Sequence, residues 1–316
     1  MGWPNHGFTS PLRYPGGKGM LANFMKLVML QNDLLDGHYV EVYAGGAALA
    51  WTLLFDGFVR HVHLNDVNKS LYAFWRSVLE DTDDLCKLVR DTPVTIDEWQ
   101  RQKAIQSDPD NHSTLQLGFS TFFLNRTNRS GIVTGGVIGG KAQQGKWKLD
   151  ARFNKPDLLA RIQRIACHAE KVSIYGRDAA EFITQVVPTL PDKTLVYLDP
   201  PYHSKGKDLY QNRYTGEDHV EIANLVHGHL RHPWIVSYDA APEVVQLYSE
   251  FQSMRYGLSY SAQSRYVGSE IMFFCRSLSV PKVSHPAQVR LADSSQLPSQ
   301  RNPCTVSCQD SAELHL

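Results

Sequence analysis

The stretch YVEVYAGGAAL at residues 39–49 decides the fold, because it joins a strand pattern to a glycine turn and then to a helix. Residues 59–64 predict a second strand, which ends at Asn65 and Asp66. An acid about 20 residues beyond such a turn is typical of a βαβ nucleotide-binding unit. In these units the turn lets a ligand approach the backbone, and the acid binds a ribose hydroxyl pair. We therefore expect Gly45 and Asp66 to line one ligand site.

Further strands are predicted at residues 171–175, 194–198 and 234–238, followed by paired strands at 254–260 and 270–275. Helical patterns and a glycine-rich basic loop separate them from the first unit. The chain is thus expected to hold one discontinuous α/β domain, residues 1–70 and 172–279, interrupted by an inserted recognition domain at 71–171. Residues 280–316 are rich in Pro, Ser and Gln and are predicted to be largely disordered.

Asp199-Pro200-Pro201-Tyr202 follows the predicted buried strand at residues 194–198. The carboxylate can accept hydrogen bonds from an amino group, and the two prolines present their carbonyls rigidly. The tyrosine offers a flat face for a planar ring. These parts can hold an exocyclic amine of an aromatic ring. The alternative interpretation is a strand that ends in a tight turn with its tyrosine merely packed.

Composition limits the classes of function. No run of 18 apolar residues exists, so no membrane span is expected, and the amino terminus has no signal-peptide pattern. The net charge is zero, but residues 126–171 carry ten bases against three acids and form a candidate phosphate-contacting surface. The five cysteines indicate free thiols in a reducing compartment. The histidines are dispersed, so no metal is expected, and His61 and His63 are interpreted as structural.

Three motifs in this order carry a resemblance to a known family: PLRYPGGKG at residues 11–19, VEVYAGGAA at 40–48 and DPPY at 199–202. Together they resemble the Dam-type, alpha-ordered (D12 class) site-specific DNA adenine-N6 methyltransferases over about residues 8–279. The resemblance implies a Rossmann-like S-adenosylmethionine-dependent methyltransferase sheet with an inserted, mostly helical DNA-recognition domain.

The resemblance also implies roles for particular residues. Those assigned to S-adenosyl-L-methionine are Tyr14, Lys18, Tyr43, Ala44, Gly45, Gly46, Asp66, Asp178 and Asp199. Those assigned to catalysis are Asp199, Pro200, Pro201 and Tyr202. In this assignment Lys18 supports the methionine end of the cofactor, and Asp199, the Pro200 carbonyl and Tyr202 grip the target adenine. One departure is Ala47, which stands where the family often carries a third glycine.

Residues 122–131 are similar to the family's DNA-recognition element, and double-stranded DNA is the implied partner. Asn125 or Asn128 is expected to read adenine, and Arg126 and Arg129 are expected to reach guanine edges or phosphates. The remaining predicted phosphate contacts are Lys141, Lys146 and Lys148. The turn at residues 261–269, with Arg265 and Tyr266, is also expected near DNA.

Several alternatives stay open at this point. Cytosine N4, an RNA adenine or a protein glutamine could replace the adenine of DNA, although an acid at position 199 favours adenine. A catalytically silent DNA-binding paralogue is another reading. A phosphate loop at residues 16–18 is rejected, because the spacer and the following Ser/Thr are missing. A GATC-like site, a companion restriction enzyme, and a cytoplasmic protein of prokaryotic, phage or mobile-element origin are suggested at the level of the family alone.

Overall fold

The computed structural model describes residues 9–14, 17–201, 214–260 and 266–290. Tyr202, Arg265 and the segment 291–316, about which the sequence made predictions, lie outside the described residues. Among the described residues, no helix is both long enough and apolar enough to cross a bilayer.

A seven-stranded sheet forms the centre of the molecule, with the order β3-β2-β1-β4-β5-β7-β6. All neighbours are parallel except β7, which runs antiparallel to β5 and β6. The strands are β1 (Gly37–Glu41), β2 (Val59–Asn65), β3 (Val172–Tyr175), β4 (Thr194–Leu198), β5 (Trp234–Asp239), β6 (Gln252–Tyr260) and β7 (Tyr266–Phe274). Strands β1, β4 and β5 are almost continuously buried, as expected for parallel strands covered on both faces. The predicted α/β fold class is confirmed.

Helices cover the sheet and fill the connection between β2 and β3. They are α1 (Ala22–Gln31), α2 (Ala48–Phe55), α3 (Lys69–Glu80), α4 (Thr82–Asp91), α5 (Ile96–Ser107), α6 (Thr114–Thr127), α7 (Lys155–Ala166), α8 (Ala179–Glu181), α9 (Gly216–Gly228) and α10 (Pro242–Leu247). A short 3-10 helix, Lys18–Leu21, precedes α1.

The helices between β2 and β3 pack on the sheet domain through α3. This helix contacts both β3 and α6, so the predicted domain boundary at residues 70/71 falls inside an element that serves both parts. The rings of Phe74 and Phe122 stack with centroids 5.8 Å apart. A Cβ on Gly118 would stand 2.7 Å from the carbonyl oxygen of Ala73, so glycine permits this close helix contact. Helix α6 is buried along most of its length because it lies at the centre of this layer.

Residues 280–290 are packed, so the prediction that disorder begins at residue 280 is wrong for them. The Asn23 amide on α1 donates to the carbonyl of Val289 at 3.0 Å. Pro286 is buried at the start of a 3-10 helix, Pro286–Gln288, which contacts α1 and β6. This segment has few apolar groups, but it packs against the surface of α1.

Three histidines stack on one face of the sheet. His38 on β1 and His63 on β2 share a hydrogen bond of 2.9 Å between their ring nitrogens, and the ring of His61 lies 4.7 Å from that of His63. His63 also contacts the Tyr175 hydroxyl on β3. Burial, with the neighbouring His61 and His38 adding to it, lowers the pKa of His63 to about 3. The cluster therefore joins three strands as neutral rings.

We expect this cluster to make the fold acid-sensitive. Because the native state keeps His63 neutral while the unfolded chain protonates it below its ordinary pKa, the unfolded state binds more protons in acid. The free energy of unfolding should therefore fall as pH drops below about 6.5, by about 3 kcal/mol near pH 4 from His63 alone. Urea unfolding at several pH values measures the free energy of unfolding as a function of pH. This free energy should depend less steeply on pH for His63→Gln than for wild type. His229→Gln, at an exposed position, is the control, and equal slopes would contradict the prediction.

Candidate active site

The carboxyl ends of β1, β2 and β4 meet at one edge of the sheet, where the connections from β1 and β4 diverge. In open α/β sheets ligands bind at such a switch point. Three acids stand there: Glu41 at the end of β1, Asp66 just beyond β2 and Asp199 just beyond β4. The structure thus brings the glycine turn, the acid after β2 and the Asp-Pro-Pro segment to one edge.

Asp66 ties the glycine turn to the end of β2. Its carboxylate accepts a hydrogen bond from Gly45 N–H at 2.9 Å and another from Asn68 N–H at 3.0 Å. Burial raises the pKa of Asp66, and the two backbone hydrogen bonds partly oppose the rise. A carboxylate has about four lone-pair positions, and the hydrogen bonds from described residues use two of them.

Tyr14 lies directly on the glycine turn. A Cβ on Gly45 would stand 2.7 Å from the Tyr14 ring, and one on Gly46 would stand 2.9 Å from the Tyr14 Cβ. Gly45 also has φ +49°, which favours glycine. From the other side, the Trp75 indole N–H donates to the Gly45 carbonyl at 3.0 Å. The turn is therefore clamped between two aromatic side chains.

Ala47 occupies the position at which the family often has glycine, and its backbone is left-handed there. It has φ +48° and ψ 28° and forms the N-cap of α2. Such a left-handed conformation costs an alanine about 1–2 kcal/mol. The turn nevertheless keeps its hydrogen bonds, since Ala47 N–H donates to the Ala44 carbonyl at 2.7 Å.

Lys18 is buried between two carboxylates. Its ammonium lies 3.1 Å from Asp199 Oδ1 and 3.2 Å from Glu270 Oε2 on β7. Burial alone would lower the pKa of Lys18, but the negative charges, that of Asp199 above all, raise it well above its usual range. Lys18 therefore remains a cation in contact with Asp199. The sequence assigned it to the cofactor and did not predict this contact.

Asp199 is held on one oxygen. The Ser237 hydroxyl on β5 donates to Oδ1 at 2.8 Å, and Ser237 in turn contacts the Tyr197 hydroxyl at 2.7 Å. Together with Lys18, this places on Oδ1 the two polar contacts that the Asp199 side chain makes with described residues. Within the described part of the chain, Oδ2 has no hydrogen-bond partner, and the side chain is 23% exposed. Asp199 thus presents one fixed acceptor to the cleft.

Glu41 is a second acid that the sequence analysis did not assign. It is buried beneath the turn and accepts a hydrogen bond from Ala50 N–H at 3.0 Å. Burial raises its pKa to about 8; the Ala50 hydrogen bond opposes the rise, and the charge of Asp199 adds to it. Glu41 is therefore largely protonated at neutral pH. Its signal in the sequence is a lone acid within an apolar strand.

The other predicted cofactor and catalytic residues that the structure describes border the same edge. The Tyr43 hydroxyl contacts the Tyr214 hydroxyl at 2.9 Å, next to residues 202–213, which are not described. Asp178 follows β3, is exposed and caps α8 by accepting from Ala180 N–H at 2.8 Å. Pro200 is buried and Pro201 half-buried. Ala44 N–H donates to the Asn65 carbonyl at 2.8 Å, which joins the turn to β2.

The two asparagines expected to read adenine are buried. Asn125 accepts from Arg13 N–H and donates to the carbonyls of Arg13 and Gly131, each at 2.7–2.8 Å. Asn128 accepts from the Trp99 indole N–H at 2.7 Å and donates to two backbone carbonyls. Both amides are therefore engaged within the protein, and we reassign them from base reading to holding this loop.

Arg126 also departs from the prediction, while the predicted basic contacts at residues 129–148 are exposed. The Arg126 guanidinium is buried and donates to the Arg152 carbonyl at 2.8 Å. Burial, followed by the charges of Arg13 and Arg161, lowers its pKa to about 10. The exposed bases are Arg129, Lys141, Lys146 and Lys148. Trp147 stands among these lysines with 65% of its surface exposed.

Comparison with known proteins identifies the family. The model for the D12 class of N6 adenine-specific DNA methyltransferases matches residues 14–261. A relative from Methanocaldococcus jannaschii, the Type II methyltransferase M.MjaIII, is 24% identical over 221 residues, covering 66% of this chain and 73% of that protein.

Solved structures with a similar fold are more distant. The rRNA methyltransferase aviRa of Streptomyces viridochromogenes aligns with a TM-score of 0.36 and 12% identity, over 83% of this chain and 86% of that chain. The family match spans the glycine turn, Asp66 and Asp199, and this chain belongs to the D12 class N6 adenine-specific DNA methyltransferase family.

Proposed function

We propose that this protein is a site-specific DNA methyltransferase that transfers a methyl group from S-adenosyl-L-methionine to the N6 amino group of an adenine extruded from double-stranded DNA. The observation that carries the proposal is the state of Asp199. Lys18 and Ser237 hold its Oδ1, while Oδ2 has no partner in the described residues. A fixed acceptor of this kind suits an amino group that must be aimed at an electrophile.

The family and the fold imply S-adenosylmethionine, and the residues at the sheet edge fit it. The half-buried carboxylate of Asp66 beside the Gly45 turn suits a ribose diol. Asp66 lies at the same edge as the Asp199 and Glu270 carboxyl groups that flank Lys18, and this acid-rich edge suits a ligand with positive charge. When bound, the cofactor supplies a methyl group activated by its positive sulfur.

The protein's own residues then position the amine. In the proposed arrangement Asp199 Oδ2 accepts one hydrogen bond from the adenine amino group, and the Pro200 carbonyl accepts the other. Both hydrogen bonds favour a pyramidal amino nitrogen, whose lone pair points out of the plane of the adenine ring. Tyr202 is proposed as the stacking surface, worth about 1–3 kcal/mol for an extruded base.

We further propose that the helices and loop between β2 and β3 contact DNA through their exposed bases. Lys141, Lys146 and Arg129 are exposed, and Trp147 adds an apolar group between the lysines. Lys148 donates to the Gln143 carbonyl, so part of its role is to hold the loop. An exposed tryptophan within a basic loop is suited to pack against nucleic acid.

The substrate can be tested directly. Purified protein is incubated with labelled cofactor and one of three substrates. These are unmethylated duplex DNA, RNA, and a duplex DNA that lacks adenine. Digestion and mass spectrometry should give N6-methyladenine from DNA and no product from RNA. Sequencing of methylated adenines from expressing cells identifies the site. N4-methylcytosine, or methylation of RNA alone, would refute the proposal.

Removal of two exposed lysines should weaken DNA binding without regard to sequence. For the double substitution Lys141→Ala and Lys146→Ala, we expect the slope of log K against log salt to become shallower by about 2, since each phosphate contact contributes about 0.9. Fluorescence anisotropy at several salt concentrations measures it. Lys193→Ala is the control, because Lys193 precedes β4 at the opposite edge of the sheet. An unchanged slope would show that these lysines do not face DNA.

A further inference from the structure

Glu270 is the least expected member of the site. It lies on β7, is almost fully buried and contacts the Lys18 ammonium at 3.2 Å. It follows Lys18 by 252 residues in the chain and belongs to none of the three sequence motifs. Across the sheet it pairs with Asp239 on β5 and Tyr256 on β6.

A buried carboxylate at this position needs a reason. Its neighbours along the strand, Ile271, Met272 and Phe273, are buried and apolar. Removing a carboxylate from water is costly, and a buried ion pair often adds little net stability compared with apolar groups. Stability alone therefore explains Glu270 poorly. Its position opposite Asp199, with the ammonium between them, indicates a role in geometry.

We propose that Glu270 is a positioning residue for methyl transfer, which holds the Lys18 ammonium on Oδ1 of Asp199 and so keeps Oδ2 open for the amino group of the substrate. This inference rests on the proposed function. With Glu270 absent, Asp199 still attracts the Lys18 ammonium. The ammonium can then move across both carboxylate oxygens and compete with the substrate amine for Oδ2.

The groups that face Lys18 come from three strands. Among the described residues they are Tyr197 on β4, Asp199 just beyond β4, Tyr256 on β6 and Glu270 on β7. Replacing Glu270 by glutamine removes one negative charge and keeps the size of the side chain. Lys18 should then lose its proton at a lower pH than in wild type. If methylation requires the Lys18 charge, the methylation rate should also begin to fall at a lower pH than in wild type.

The test uses the full-length protein in single-turnover methylation of a duplex oligonucleotide at saturating cofactor. For Glu270→Gln we expect the rate constant to fall about 10- to 100-fold, with little change in DNA or cofactor affinity. The alkaline limb of its pH–rate profile should move to lower pH. Glu270→Asp should be intermediate. Glu250→Gln is the matched control, because Glu250 is also ion-paired but on the exposed surface, and it should behave as wild type.

A double-mutant cycle separates positioning from a general structural effect. If Glu270 acts through Lys18, then adding Glu270→Gln to Lys18→Met should cause no further loss of rate. An equal further loss, or a single variant with wild-type rate and pH profile, overturns the inference while leaving the proposed function intact. If Glu270→Gln does not fold, Glu270→Asp decides, and a wild-type rate and profile overturns it. A wild-type protein that forms no N6-methyladenine refutes the proposed function and this inference together.

Discussion

Replacing Asp199 by asparagine is expected to reduce the methylation rate by about 10³-fold or more while DNA affinity changes little. Asparagine has the same shape, and its oxygen can still accept from Lys18 and Ser237 on the Oδ1 side. The other position then carries an NH₂ group. That group is a donor facing the donor hydrogens of the substrate amine, so the hydrogen bond that orients the nitrogen becomes a repulsive contact.

Single-turnover rates, DNA anisotropy and calorimetric cofactor titration together measure the effect. Asp192→Asn is the matched control, because Asp192 is an exposed acid just before the same strand, at the opposite edge of the sheet. It should have the wild-type rate. An Asp199→Asn protein that methylates within about tenfold of wild type would mean that Asp199 does not orient the amine. A large loss of DNA affinity would instead point to a role in binding the duplex.

Local patterns predicted the sheet edge well. The glycine turn and the acid after β2 lie close in the chain, and the spacing between Gly45 and Asp66 is itself a property of the βαβ unit. The predicted strands and the fold class are confirmed by the observed sheet. The sequence was informative here because each feature depends on neighbouring residues, and the helix and strand periods repeat within a few positions.

Contacts between distant parts of the chain were not predictable in the same way. Glu270 contacts Lys18 because β7 lies between β5 and β6 in the folded sheet, and the two residues are far apart in the sequence. The docking of residues 280–290 depends on the surface of α1, which composition does not reveal. The role of a buried asparagine is still harder to predict. The sequence around Asn125 would be the same whether its amide binds backbone groups, as observed, or reads a base.

Asn125 gives the second large expected effect. Asn125→Ala removes three hydrogen bonds at once and leaves the part-buried Arg13 N–H and carbonyl and the buried Gly131 carbonyl without this partner. Each such group costs about 1–3 kcal/mol, so the free energy of unfolding should fall by about 3 kcal/mol or more. Because Arg13 directly precedes Tyr14 on the glycine turn, cofactor affinity should fall as well. Urea unfolding and calorimetric titration measure these two effects.

The same variant distinguishes the two roles considered for Asn125. A residue that reads adenine from the surface would leave unfolding unchanged when replaced by alanine and would alter only the preference among DNA sequences. A residue that fastens the Arg13 segment to the Gly131 loop must change stability before DNA is added. Gly131 adopts φ +78°, and a Cβ there would overlap the Arg13 carbonyl, so Gly131→Ala should reproduce the loss from the other side of the contact. Asn111→Ala, at an exposed position, controls for loss of an amide. Wild-type stability in both Asn125→Ala and Gly131→Ala would restore Asn125 as a candidate for base recognition.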